Sequence, residues 1–303
     1  DSLMSRYTAF NTELVDINDM RKEKQQLPFI KMQGTSNDYI YIDCFKNRVA
    51  SPEFLSIYLS DRANGVGGDG VILICPSAVA DAKMLMYNRD GSEGKMCGNG
   101  IRCVAKYIYD CGISKNRMLR IETASGIKNC EVFTKMGVVF KVRVDMGKAE
   151  FNAAQIPVKL DGDLIVNREL DVDGILYSVT CMSMGNPHCV VFNNSVDKLD
   201  LITVGPKFEQ HEVFPEGVNT EFVEIVDENT IKMRVWERGI GETLACGTGA
   251  CAAAVAAVLN GYCKKGEDIR VILKGGDLVV NYSNTAVLMT GNAVKVFDGV
   301  VEI

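Results

Sequence analysis

The chain carries its most characteristic segment twice, and that repetition constrains its fold more than any other feature of its 303 residues. YNRDGSEGKMCGNG begins at Tyr87 and WERGIGETLACGTG begins at Trp236, 149 positions later. At that spacing Arg89 falls on Arg238, Glu93 on Glu242 and Cys97 on Cys246. The same offset carries Asn37 of TSNDY onto Asn186 of MGNPH, Gly68 onto Gly217, Gly70 onto Asn219, and Gly126 of TASGIKN onto Gly275 of LKGGDLV without a gap. Isolated glycine matches recur by chance. A Cys-Gly-x-Gly with Glu four residues before it and Asn well upstream, in both copies, does not. The chain therefore reads as a duplication, which fixes the architecture before any local element is assigned.

Both halves are rich in strands. YIYID, GVILIC, AKMLMYN, RIETA, CEVF and VVFKVRVDM in the first, and CVVF, TEFVEIV, IKMRVWE, IRVIL and LVVNY in the second, are β-branched or aromatic runs of strand length. One helical segment follows each Cys-Gly-x-Gly: IRCVAKYIYDCG, and the Ala-rich ACAAAVAAVLNGYC closed by Gly261. The expected fold is α+β, with two pseudo-symmetric halves, each a curled, mostly antiparallel sheet or barrel around a central helix. The cleft between them is the expected active site. The expected division is an N-terminal arm, 1–26, left unassigned; an N-terminal half, 27–148, completed by the C-terminal segment 291–303; and a C-terminal half, 149–290.

Composition narrows the partners. The net charge is -6, and no stretch gathers Lys and Arg with interleaved aromatics, so nucleic acid is not an expected partner. No charge-free apolar run of about 18 residues occurs, and the opening DSLMSRYTAFNTELVDIND has no apolar region behind a basic start. A soluble, non-secreted protein acting on a small molecule is expected. The eleven cysteines are odd in number and include no Cys-x-x-Cys, which argues against a disulfide scaffold or a common zinc site, and no metal is expected. Most of them, including Cys44, Cys75, Cys111, Cys130, Cys181 and Cys263, read as packing or surface residues.

Cys97 and Cys246 differ by their setting. Glycines just after a cysteine let the backbone approach a ligand, and a helix's first turn offers unpaired N–H groups and partial positive charge. Such a start binds a carboxylate and favours thiolate over thiol. Two copies related by a pseudo-twofold can hold one α-carboxylate while their sulfurs face the α-carbon from opposite sides. One thiolate then removes a proton and the opposite thiol returns one, as inversion of configuration requires. The convergent N–H groups would stabilise the charge that builds on the carboxylate, so no pyridoxal phosphate or other cofactor is expected.

QGTSNDYIYID, GVGGDGVIL, NRDGSEGKMCGNGIRC, SMGNPHCVVF, PEGVNTEF and WERGIGETLACGTGACAA together closely resemble the diaminopimelate epimerase family, from about Pro28 to the C-terminus. The resemblance implies a cofactor-independent isomerase that interconverts L,L- and meso-diaminopimelate in lysine biosynthesis, with Cys97 and Cys246 as the base and acid. It implies that Gly98, Asn99, Gly247 and Thr248 face the reacting carboxylate. It further implies that Asn37, Asn88, Asn186 and Asn219 bind substrate, and that Glu237 and Arg238 contact its ammonium and distal carboxylate. An Arg fork suits a carboxylate. His188 matches a histidine lining the site, and is equally readable as a packing residue. The implied partner is a diamino diacid, without nucleic acid or membrane. The oligomeric state is open, with a homodimer as one option, and the setting is cytoplasmic, or the plastid stroma in a plant.

Three departures from the family pattern stand out. Its Gly-x-Gly-Asn is here Gly34-Thr35-Ser36-Asn37, Gly70 replaces a glutamine carried by some members, and the family usually begins close to Lys31. Three rival readings remain. A racemase of the same fold with another substrate would keep both cysteines. A thiol redox protein would cycle them through a disulfide. A silent amino-acid-binding module would need neither. Glu93 and Glu242 read as capping or supporting groups, and Cys103 and Cys251 as core.

Overall fold

The computed structural model describes residues 25–303, so the expected arm lies outside the described residues except for its last two positions. The first half runs β1 (Gln26–Gly34), β2 (Asn37–Asp43), α1 (Pro52–Ser60), β3 (Gly70–Cys75), β4 (Ala82–Asn88), β5 (Glu93–Gly94), α2 (Gly98–Asp110), β6 (Met118–Thr123), β7 (Gly126–Lys135) and β8 (Val138–Asp145). The second runs β9 (Arg168–Val172), β10 (Ile175–Ser183), β11 (Pro187–Phe192), α3 (Leu201–Glu209), β12 (Asn219–Asp227), β13 (Thr230–Glu237), β14 (Gly241–Thr243), α4 (Gly247–Leu259), β15 (Asp268–Leu273), β16 (Gly276–Tyr282) and β17 (Val287–Asn292). The last strand, β18 (Val294–Glu302), returns to pair with β1.

Strand pairing reproduces the duplication. One half pairs in the order β18–β1–β2–β3–β4–β6–β7–β8. The other pairs as β9–β10–β11–β12–β13–β15–β16–β17. Short β5 and β14 add to β4 and β13. Corresponding registers agree: Ile40 faces Val71 and Cys189 faces Thr220 in the parallel pairs, and Val71 faces Tyr87 as Thr220 faces Trp236. The halves join antiparallel through β8 and β17, where Val144 faces Met289. Those two are themselves equivalent, pairing with Cys130 and Val280. The pseudo-twofold axis therefore passes through the Val144–Met289 pair.

The gapless repeat needs one correction. The hairpin that closes with Thr123 opposite Gly126 has its counterpart in Leu273 opposite Gly276, an offset of 150. Gly126 therefore corresponds to Gly276, and both adopt positive φ (96° and 134°). One extra residue lies between α4 and β15. The adjacent Gly275 hid the shift, because either glycine satisfies a comparison by letters.

Each sheet curls around its central helix. α2 packs on β8, β1, β7 and β2, and α4 on β16, β12, β11 and β10. The ten buried residues of α4 are glycine, alanine, cysteine and valine, small enough for strands to close around it on all sides. Both helices stop at a glycine in the left-handed conformation. The Ile113 and Tyr262 amides reach back to the Ile108 and Ala257 carbonyls, as in a Schellman motif. The main core surrounds α2 and α4 and crosses between the halves. Two satellite cores lie on the outer faces, under α1 and α3. These two nine-residue helices are repeat equivalents that the sequence reading left unassigned. No described helix is long and apolar enough to cross a membrane.

Candidate active site

Cys97 and Cys246 are themselves the N-caps of α2 and α4. Both have extended backbone (φ/ψ −132°/119° and −127°/114°), and each sulfur accepts the amide three residues on, Gly100 N or Gly249 N, at 3.3 Å. Capping occupies one first-turn amide and leaves the earlier ones without intrahelical acceptors. Glu93 and Glu242 therefore do not cap these helices. Glu242 sits on β14 in ion pairs with Arg234 and Lys274, and Glu93 is an exposed residue of β5.

The two helix starts meet at the axis. A Cβ built on Gly247 would lie 3.8 Å from Gly98 Cα, and one on Gly98 would strike Met289 Cε at 2.7 Å. The two starts thus approach to van der Waals distance, with the flexible Met289 side chain packed against both glycines.

On the first side, Asn37 ties the pieces together. Its Oδ1 accepts from Cys97 Sγ at 3.2 Å and from Asn99 Nδ2 at 3.5 Å, while its Nδ2 donates to Asp69 Oδ2 at 2.7 Å. On the second side Thr248 Oγ1 lies 3.5 Å from Cys246 Sγ. The Thr243 hydroxyl donates to Glu237, whose carboxyl also hydrogen-bonds with Cys246. Asn186 Oδ1 lies 2.9 Å from His188 Nε2, and His188 Nδ1 lies 2.7 Å from Glu221 Oε1. Asn219 is pinned within the wall, donating to the Pro187 carbonyl and accepting the Arg238 amide, while the Arg238 guanidinium donates to the Glu216 carbonyl. Asn88 ends β4 opposite Gly70, and its side-chain amide donates to Ser92 Oγ. Gly70 leaves no room for a larger residue, since a Cβ there would run into the Tyr87 carbonyl oxygen.

Burial raises the pKa of both thiols, reversing the expectation that the helix start alone would lower it. Around Cys97 the opposing influences are the Gly100 amide, the Tyr39 hydroxyl, the Asn99 amide and the Arg102 charge. Around Cys246 burial is reinforced by the negative charges of Glu237 and Glu221, which push its thiol well above the ordinary range. Both sites therefore favour the thiol, but at Cys97 each of these neighbours opposes burial while at Cys246 two carboxylates add to it, so the caps match and the electrostatics do not.

Sequence reading missed three residues. Arg102 is fully buried on α2, donating to the Gly98 and Asn292 carbonyls and to Thr35 Oγ1. It thereby fixes the turn in which Thr35 and Ser36 take left-handed backbone (φ 55° and 63°), so that the departure from Gly-x-Gly-Asn keeps Asn37 in place. The other two are Tyr39 and Glu221, and here the repeat itself held the signal. Tyr39 corresponds to His188, and Ile72 to Glu221. A Cβ on Gly100 would meet Ile72, and one on Gly249 would meet Glu221. The halves share a skeleton and differ in the groups behind each sulfur. Among the described residues no three His, Cys, Asp or Glu side chains gather as a metal site.

Comparison with known proteins agrees with this geometry. The family profile described as diaminopimelate epimerase matches residues 29–152 and 180–296. A diaminopimelate epimerase from Desulfovibrio desulfuricans is 51% identical over 281 residues, covering 90% of this chain and 97% of the relative. One from Acetivibrio thermocellus is 49% identical over 277 residues, covering 91% and 98%. Among solved structures, a hydroxyproline epimerase from Agrobacterium vitis shares the fold at a TM-score of 0.66 and 14% identity, over 92% of this chain and 93% of that one. A probable proline racemase from Agrobacterium radiobacter does so at 0.65 and 15%, over 91% and 93%.

Proposed function

The chain belongs to the diaminopimelate epimerase family, and we propose that Cys97 and Cys246 are the two groups that exchange the α-proton. The protein is an isomerase of lysine biosynthesis that interconverts L,L- and meso-diaminopimelate. The observation that carries the two-thiol reading is the pair of cysteine N-caps at abutting helix starts.

In this reading the substrate's α-carboxylate lies across the uncapped amides of Gly98, Asn99, Gly247 and Thr248. The α-carbon then sits between the two sulfurs. The amides strengthen their hold as negative charge builds on the carboxylate during deprotonation. Cys97 is the thiol that ionises more readily, helped by hydrogen bonds from neighbouring amides and by the Arg102 charge, and Cys246 is the thiol held protonated by burial and by Glu237 and Glu221. Asn37 and Asn186 orient the reacting end, with His188 held by Glu221. Asn88, Asn219, Glu237 and Arg238 serve the ammonium groups and the distal carboxylate. A homodimer is part of the proposal, with β18 as its surface: among the described residues this strand pairs with β1 alone and exposes Val296, Phe297 and Val300.

The test is conversion of L,L-diaminopimelate by reduced protein without added cofactor, followed by chiral chromatography. Formation of meso product supports the reading. Absence of product from folded, reduced protein, with turnover of another amino acid, overturns the substrate.

A further inference from the structure

Cys44 and Cys75 form a second pair of neighbouring thiols, remote from the helix starts. β2 and β3 run parallel with Asp43 opposite Ile74, and the Cys44 amide donates to the Ile74 carbonyl at 2.8 Å. The next residue on each chain is a cysteine, so the two lie side by side. Adjacent strands stand about 4.8 Å apart, inside the Cα separation of roughly 4.4–6.8 Å that a disulfide spans. Both thiols are free, and both are only half-buried. Cys181 and Cys189 also face each other, across β10 and β11, but are wholly buried and out of reach of a reagent. From Asn37 to Cys44 is seven residues of strand, about 23 Å, so this pair is spatially distinct from the reacting cysteines.

We propose that Cys44 and Cys75 are an oxidisable dithiol, which a small-molecule disulfide converts into a reversible cross-strand disulfide independent of Cys97 and Cys246. The attacking sulfur is Cys75: Lys83 stands opposite it across β3 and β4, and this cation favours its thiolate. The Cys75 thiolate attacks one sulfur of the reagent, forming a mixed disulfide and expelling one thiolate. Cys44 then gives up its proton and attacks the Cys75 sulfur, expelling the second thiolate. The protein dithiol loses two electrons and two protons, and the reagent disulfide gains both to become two thiols.

The experiment treats the purified, full-length protein with glutathione disulfide at rising concentration, blocks remaining thiols with iodoacetamide, and maps tryptic peptides without reduction. The fragments 32–46 and 63–83 each hold one cysteine of the pair and no other. The expected result is those two fragments covalently joined, separated again by dithiothreitol. In Cys44→Ser the joined species disappears and Cys75 retains one glutathione. In Cys75→Ser the modification of Cys44 slows at least tenfold. Cys111, which is exposed, serves as the internal control for reagent activity. If Cys111 is modified while Cys44 and Cys75 both remain alkylated by iodoacetamide, the proposal is wrong. Equal modification of Cys44 with and without Cys75 overturns the assigned order of attack.

Discussion

His188 Nδ1 and Glu221 Oε1 lie 2.7 Å apart, and neither side chain has any exposed surface. Both ring nitrogens of His188 face oxygen, with Asn186 on the other side. A charged carboxylate this deep is costly, and burial, partly offset by His188, raises the Glu221 pKa from 4.5 to about 7.

That shift sets a direction for stability. Between pH 4.5 and about 7 the unfolded chain has lost the Glu221 proton while the native chain retains it. Stability contributed by this group is present at the acid end of the window and is lost as pH rises through it. Glu221→Gln, which cannot titrate, should flatten the melting temperature against pH over that range. An unchanged slope in calorimetry would show that Glu221 is not the titrating group.

Capping and chemistry can be separated at the two cysteines. Serine keeps an acceptor for Gly100 N or Gly249 N, whereas alanine removes it at a cost of about 1 kcal/mol. Cys97→Ser and Cys246→Ser should therefore melt close to the parent, and the alanine variants a few degrees lower. All four should lose epimerase activity by roughly 10²-fold or more. Denaturation and steady-state assays on the same preparations check both halves of this statement.

Arg102 holds the start of α2, the Thr35 turn and the end of β17 together through three hydrogen bonds. Arg102→Met preserves volume but strands the buried Gly98 carbonyl and the part-buried Asn292 carbonyl, and should destabilise by about 3 kcal/mol. Because Thr35 precedes Asn37, which accepts from Cys97, activity should fall further than the loss of folded protein explains. Urea unfolding, with activity normalised to folded fraction, distinguishes the two effects.

Glu237 raises the Cys246 pKa through its charge. Glu237→Gln removes that charge, so the Cys246 thiolate should form at lower pH. The rate of Cys246 alkylation by iodoacetamide, followed by peptide mass mapping, should move toward acid, while the pH dependence at Cys97 changes much less.

Much of this was legible in the chain. α2 and α4 announced themselves through Cys-Gly-x-Gly and an apolar or Ala-rich run, and the strands through short β-branched stretches. α1 and α3 were hidden because nine residues with mixed burial give too few turns for a clear period. Arg102 and Glu221 were hidden for a different reason. A charged residue within an apolar segment looks like a solvent-facing position, and only tertiary structure reveals Arg102 among carbonyls and Glu221 against His188. The extra residue before β15 was invisible because Gly275 and Gly276 are adjacent and only backbone register tells them apart.

Proton transfer by two thiols on opposite faces, as proposed, is separated from transfer by a single base by the isotopic course of the first turnovers. L,L-diaminopimelate is incubated in deuterated water, and both epimers are recovered before a few per cent has converted. Two bases predict α-deuterium in the meso product and almost none in the recovered L,L substrate, because the hydrogen leaves to one sulfur while deuterium arrives from the other. Equal deuterium in both epimers from the start, or meso product formed at the parental rate by Cys97→Ser or Cys246→Ser, would contradict it.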